Sequence, residues 1–173
     1  FTIVAVEADW PDAAALNAHV RGQARPQDAP APFQRFPAWM WRNRDVADFI
    51  QWLKAHNAKA AAPAGFYGLD IYNMHGAIAQ VLAYLDRKDP QAAAVARQRY
   101  GCLTPWQHEP SAYGRAVLTQ GYKECEEGVI RQCRDLLARE FAYARDHGDD
   151  FLDAAQNARL VANAERYYRI MYY

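Results

Sequence analysis

An apolar run, Ile3-Val4-Ala5-Val6, stops at the carboxylate Glu7, and Pro11 follows shortly after it. A continuously apolar run rich in β-branched residues fits a strand buried on both faces rather than one alternating between core and solvent. Pro11 fits the first position of a helix, where its missing N–H costs nothing. The stretch therefore predicts a strand over Thr2–Val6, a helix over Pro11–Val20, and Glu7 at the carboxyl end of the strand. In α/β sheets that edge is where ligands and catalytic side chains gather. Asp9, Trp10 and Asp12 lie beside it. The ordinary role of such an acid is to start a helix or to pair locally in a core, and the functional role competes with it.

The rest of the first half repeats the rhythm. Gly22 ends the first helix, and prolines 26, 30 and 32 exclude regular structure in the loop that follows. Phe33–Arg44 packs four aromatics and three arginines into one segment. Asn43 is placed to cap a helix over Arg44–His56, with Val46, Phe49, Ile50 and Leu53 on one face. The small-residue stretch Ala58–Gly65 is a linker. Phe66–Tyr72 is a second β-like run, ending near Asp70, and a helix over Met74–Asp86 follows with Ile78, Val81, Leu82 and Leu85 in helical spacing. This βα rhythm predicts a parallel sheet.

The second half reads as helical. Asp89-Pro90 starts a helix to about Tyr100, Gly101–Pro110 is a loop, and Ser111 caps a short helix to about Leu118. A long amphipathic helix is expected over Tyr122–Asp146, and another from Asp149 or Asp150 to the end. Gly148 between them predicts an antiparallel pair. The fold expected is mainly α with a few short parallel strands: a partial α/β core over residues 1–88 and a helical subdomain over 89–173.

With 173 residues and 51% hydrophobic content, the chain can bury a sizeable core. Lys plus Arg and Asp plus Glu both number 20, so the formal net charge is zero, which argues against nucleic acid or an anionic membrane as partner. Cys102, Cys125 and Cys133 are odd in number and form no Cys-x-x-Cys pair, which reads as a reduced, cytoplasmic chain. No apolar run approaches the roughly 18–20 residues of a membrane span. The chain opens in mid-strand and closes on Tyr167, Tyr168, Tyr172 and Tyr173 in an apolar helix. It is therefore expected to be a segment whose partners include the remaining parts of a longer chain.

Five histidines, His19, His56, His75, His108 and His147, form no metal-ligand spacing. Those near helix ends ordinarily cap carbonyls or are solvated. His75 lies at the expected turn after Asp70, as a partner for the site or as a satisfied core histidine. There is no Gly-rich phosphate loop, no Gly-x-Ser-x-Gly elbow and no cysteine with an evident base. The chemistry on offer is that of carboxylates and arginines. Glu7, as a base or water-orienting group, and His75 are the catalytic candidates. Trp39, Trp41, Tyr67 and Tyr72 are candidates to line an apolar pocket for a small molecule, with Arg42 and Asp70 fixing its polar groups. Core packing is the competing role of the same aromatics.

The blocks Val4-Ala5-Val6-Glu7-Ala8-Asp9-Trp10-Pro11-Asp12, Phe36-Pro37-Ala38-Trp39-Met40-Trp41-Arg42-Asn43, Gly65-Phe66-Tyr67-Gly68-Leu69-Asp70, Gln156-Asn157-Ala158-Arg159 and Glu165-Arg166-Tyr167-Tyr168 resemble, in order, the erythromycin esterase family. The resemblance implies an α/β core with a helical part, in a protein well beyond this length, that hydrolyses the lactone ester of macrolide antibiotics. It also implies base-assisted attack of water, with the base a histidine in a Gly-Glu-x-x-His-Gly-type motif upstream of Glu7 and a further histidine motif downstream. Neither motif is in this sequence. The glutamate of the Glu-Ala-Asp-Trp block carries over onto Glu7, which would orient the histidine or the water. No cofactor is implied. The alternatives are a non-hydrolytic binding module using the aromatic and arginine cluster, and an enzyme of the same fold with another substrate and a divalent metal.

Overall fold

The computed structural model describes residues 1–23, 31–35, 38–107, 109–145 and 148–173. The loop around Pro26 and Pro30, the Phe36-Pro37 pair, His108 and His147 lie outside the described residues. The chain is mainly α-helical, with one two-stranded parallel sheet. It forms two compact units, Phe1–Asn73 and Met74–Tyr173.

The first unit contains β1 (Ile3–Asp9), α1 (Trp10–Val20), the single turn α2 (Ala38–Trp41), α3 (Arg44–Asn57) and β2 (Gly65–Asp70). Pro11 stands in the first turn of α1, as its lack of an N–H requires. Asn43 caps α3 by accepting a hydrogen bond from the Val46 amide at 2.9 Å. β1 and β2 pair in parallel from Ile3 opposite Gly65 to Val6 opposite Gly68, and the register then shifts so that Asp9 faces Asp70. Ala13, Val20, Ile50, Leu53, Ala64 and Phe66 form the core, with Val4 and Val6 packed against it. Two asparagines knit it together. Asn57, 6% exposed, donates to the carbonyls of Val20 and Ala64 and accepts from the Ala64 amide at 2.8 Å. Asn17 accepts from the Phe66 amide at 2.9 Å.

Two expectations about β1 need correction. The strand runs to Asp9 rather than stopping at Val6, so Glu7 lies within it. It is also not buried on both faces. Ile3 is 65% exposed and Ala5 and Glu7 are exposed, while Val4 and Val6 turn inward. β2 is its single partner strand in the described sheet, and the core lies on one face only. The apolar run alternates in space although it does not alternate in polarity.

The second unit is helical: α4 (Met74–Lys88), α5 (Pro90–Tyr100), a 3-10 helix (Gly101–Trp106), α6 (Pro110–Gln120), α7 (Glu126–Ala138), α8 (Glu140–Tyr143) and α9 (Gly148–Ile170). α4, α6 and α7 pack on α9. Helix 74–88, grouped with the α/β core on sequence rhythm, packs on α5 and α9 and belongs to this unit. Gly114 lets α6 approach α9, since a Cβ there would collide with the Tyr168 carbonyl.

The single helix expected over Tyr122–Asp146 is divided. Gly121, with φ 64°, ends α6 in the left-handed region. Tyr122–Cys125 then stays non-helical, held by the Tyr113 hydroxyl, which accepts from the Cys125 amide at 2.8 Å. Cys102 and Cys125 are disulfide-bonded across 23 positions of sequence, leaving Cys133 free. The expectation of a fully reduced chain is thereby corrected, and the cysteine count no longer speaks for a cytoplasmic compartment. No helix among the described residues is long and apolar enough to cross a membrane.

Glu165 is 1% exposed at the centre of the α6–α9 contact. It accepts from the Tyr113 hydroxyl at 2.7 Å and from Arg169 Nε at 2.9 Å. Arg169 also pairs with Glu126 at 2.7 Å, so the buried carboxylate has its counter-charge within hydrogen-bonding distance.

Candidate functional site

The carboxyl edge of the β1–β2 sheet gathers four carboxylates: Glu7 and Asp9 from β1, Asp12 from the first turn of α1, and Asp70 from β2. The register shift between Val6 and Asp9 decides how they point. Three steps along β1 match two along β2, so β1 carries one extra residue, the signature of a bulge. Side chains alternate up to Glu7, but Ala8 and Asp9 are both buried. Gly68 permits the close approach, because a Cβ there would collide with the Ala8 carbonyl.

The carboxylates consequently differ in environment. Glu7 is exposed. Asp70 is half-buried, and burial, then the negative charge of Glu7, push its pKa above the usual carboxylate value. Asp9 is 7% exposed. Although it stands at the N-cap of α1, its side chain makes no cap hydrogen bond. Its Oδ1 instead accepts from the Asn73 amide at 2.8 Å, in the turn leaving β2. Burial pushes Asp9 up to about 6; the Asn73 amide opposes this, and the charges of Asp12 and Asp70 add to it. Asp12 accepts from the Phe33 amide at 2.9 Å and from the Asn73 side chain at 3.2 Å.

Aromatic residues pack along the two strands. Trp10 stacks on Tyr67 with ring centroids 5.7 Å apart. Trp41 donates its indole N–H to the Glu7 carbonyl at 3.0 Å, stacks on Phe33 at 5.5 Å and meets Phe66 edge-on at 6.4 Å. Trp41 therefore braces β1 beside Glu7. Trp39 is 70% exposed, Tyr72 is 43% exposed, and Arg42 is exposed just after α2. His75 is exposed on the first turn of α4, in the second unit. Among the sequence candidates, the edge brings together Glu7 and Asp70, with Trp41 tied to the Glu7 carbonyl; Tyr67 lies opposite Ala5 with its ring tip over Gly65, at the other end of β2.

Asp9, Asp12 and Asn73 were not among the sequence candidates as site residues. Asp9 and Asp12 stand out only as neighbours of Glu7, and alternation would leave Asp9 facing solvent. The available signal was Gly68, since a glycine inside a strand marks a bulge or a close backbone approach. Among the described residues, no group of three or more His, Cys, Asp or Glu side chains is arranged to hold a metal ion. A cleft of about 290 Å³ lies in the second unit, lined by Leu85, Val95 and Leu136 and crossed by two ion pairs. These are Arg99–Asp135 at 2.6 Å and Arg139–Asp89 at 2.7 Å. Its charges are thus mutually neutralised.

Two solved structures share the fold. One, a succinoglycan biosynthesis protein, is 19% identical with a TM-score of 0.70. The other, a protein from Bacillus cereus, is 18% identical with a TM-score of 0.73. Each match covers 98% of this chain and 40% of the other, so the chain spans well under half the length of the structures it matches. The family model for erythromycin esterase matches residues 1–172. The chain belongs to the erythromycin esterase family.

Proposed function

We propose that this chain carries part of the active site of a hydrolase that cleaves an ester by attack of water, with a macrolide lactone as the substrate class. Glu7 is the working carboxylate. It accepts a hydrogen bond from the attacking water, or from a histidine that takes the proton, and so fixes the direction of attack. Water adds to the ester carbonyl, and the tetrahedral intermediate expels the alkoxide, which receives the proton. The products are a carboxylate and an alcohol, which in a lactone remain on one opened molecule. Asp70 is the second acid at this edge.

The observation that carries this reading is the exposed Glu7 at the carboxyl edge of a parallel sheet, in a chain matched along nearly its whole length by the family model. Parallel sheets bind ligands at this edge. The histidine that completes the proton transfer is taken to lie outside this sequence, and His75 is not used. The test is turnover of erythromycin A by the natural full chain, compared with Glu7→Gln. Loss of turnover in the variant with an unchanged melting temperature supports the reading. Equal rates remove Glu7 from the mechanism.

A further inference from the structure

Two of the four edge carboxylates are used as hydrogen-bond acceptors for backbone that is distant in sequence. Asp9 reaches the Asn73 amide, 64 positions away, and Asp12 reaches the Phe33 amide, 21 positions away. Both bonds end on segments without regular structure. Phe33 is held at φ 57°, a left-handed conformation that costs a phenylalanine energy and persists only where its surroundings impose it. Its ring stacks on Trp41, whose indole holds the Glu7 carbonyl. Asn73 is gripped twice, by Asp9 at its amide and by Asp12 at its side chain, and it lies three residues beyond Asp70. One chain of contacts thus runs from Asp12 through Phe33 and Trp41 to Glu7. Another runs from Asp9 through Asn73 to the end of β2.

We propose that Asp9 and Asp12 are positioning residues, a two-carboxylate clamp that fixes the Phe33 and Asn73 segments onto the end of β1 and thereby sets Glu7 and Asp70 in place. The four acids then have separate roles, the outward pair facing the substrate and the inward pair holding the backbone. This rests on the reading of Glu7 as the working carboxylate. The clamp needs acceptor oxygens, not negative charge. Burial works against the charge of Asp9, and an amide oxygen at the same place accepts the same bond.

The test uses Asp9→Asn, Asp9→Ala and Asp12→Ala in the natural full chain, with hydrogen exchange and turnover of erythromycin A as readouts. Asp9→Asn is expected to keep the Asn73 amide protected and to hold kcat within about threefold. Asp9→Ala is expected to speed Asn73 exchange at least tenfold and to lower kcat by roughly 10- to 100-fold with KM little changed, as misplacement of a reacting group does. Asp12→Ala is expected to speed exchange at the Phe33 amide and at the Trp41 indole. If Asp9→Asn loses protection and activity as Asp9→Ala does, the charge is what matters and the clamp is overturned. Unchanged exchange in both alanine variants overturns it equally. If Asp9→Ala does not fold, Asp9→Asn decides alone. If the unsubstituted protein turns over no macrolide, the hydrolase reading fails while the exchange data still decide the clamp.

Discussion

Replacing Asp9 with asparagine should make the protein more stable at neutral pH and remove part of its pH dependence. In the folded chain the Asp9 carboxyl rises from 3.8 to about 6, with burial as the largest cause. Below pH 3.8 both folded and unfolded forms carry the proton, and the contribution to stability is fully present. Between pH 3.8 and 6 the unfolded chain ionises while the folded one holds its proton, so stability falls as pH rises. Above pH 6 both are ionised and the loss is complete. At about 1.4 kcal/mol per pH unit, the whole span is worth about 3 kcal/mol, an upper bound for a side chain that keeps some contact with solvent. Asparagine does not titrate and keeps an oxygen for the Asn73 amide. The stability of Asp9→Asn minus that of the unsubstituted protein should therefore grow by up to about 2.4 kcal/mol between pH 4 and pH 7. Urea unfolding across that range measures it. Taking the difference between two proteins cancels the carboxylates remote from Asp9; Asp12 and Asp70, whose charges act on Asp9, contribute to the measured difference. Tryptophan fluorescence suits the first unit, because Trp10, Trp39, Trp41 and Trp52 lie there and Trp106 alone lies in the second. A difference that does not vary with pH would refute the reasoning. A difference that shrinks toward neutral pH would mean that the Asn73 amide outweighs burial.

Other perturbations follow from the packing. Tyr113→Phe removes a hydroxyl that donates to Glu165 and accepts from the Cys125 amide, and should lower stability by about 1–3 kcal/mol in chemical denaturation. Arg169→Met leaves the buried Glu165 without its nearest cation and should cost about 3–5 kcal/mol, read as a loss in melting temperature. Replacing Cys102 and Cys125 by serine opens a loop of 23 positions and should cost about 3 kcal/mol relative to the oxidised protein. Gly68→Ala should perturb β1, since a Cβ there meets the Ala8 carbonyl; the expected sign is loss of protection at the Asn73 amide together with lower stability.

Local signals carried much of the fold. The Asn43 cap, Pro11 and Pro90 at helix starts, and the apolar spacing of α3 and α4 each report a nearby interaction, and each matches an observed element. What failed depends on contacts distant in sequence. The segment 122–125 has helical patterning, but Gly121, the Tyr113 hydroxyl and the bond to Cys102 hold it out of a helix. The apolar run of β1 suggests two buried faces, whereas its packing covers one. The site was partly legible. Glu7 and Asp70 stand out as acids near strand ends, but Asp9 is turned inward by a bulge whose sole local mark is Gly68 on the other strand. Arg42 and Trp39 share a conspicuous aromatic segment with Trp41, yet they are exposed while Trp41 is tied to β1.

The division of labour at the sheet edge meets its most direct test in one comparison: kcat/KM for erythromycin A in Glu7→Gln against Asp9→Asn, measured in the natural full chain at pH 7. The account predicts a loss of at least about 100-fold for Glu7→Gln and a change within about threefold for Asp9→Asn. The reverse order, with Asp9→Asn inactive and Glu7→Gln close to the unsubstituted protein, would contradict it and make the buried acid the reacting group.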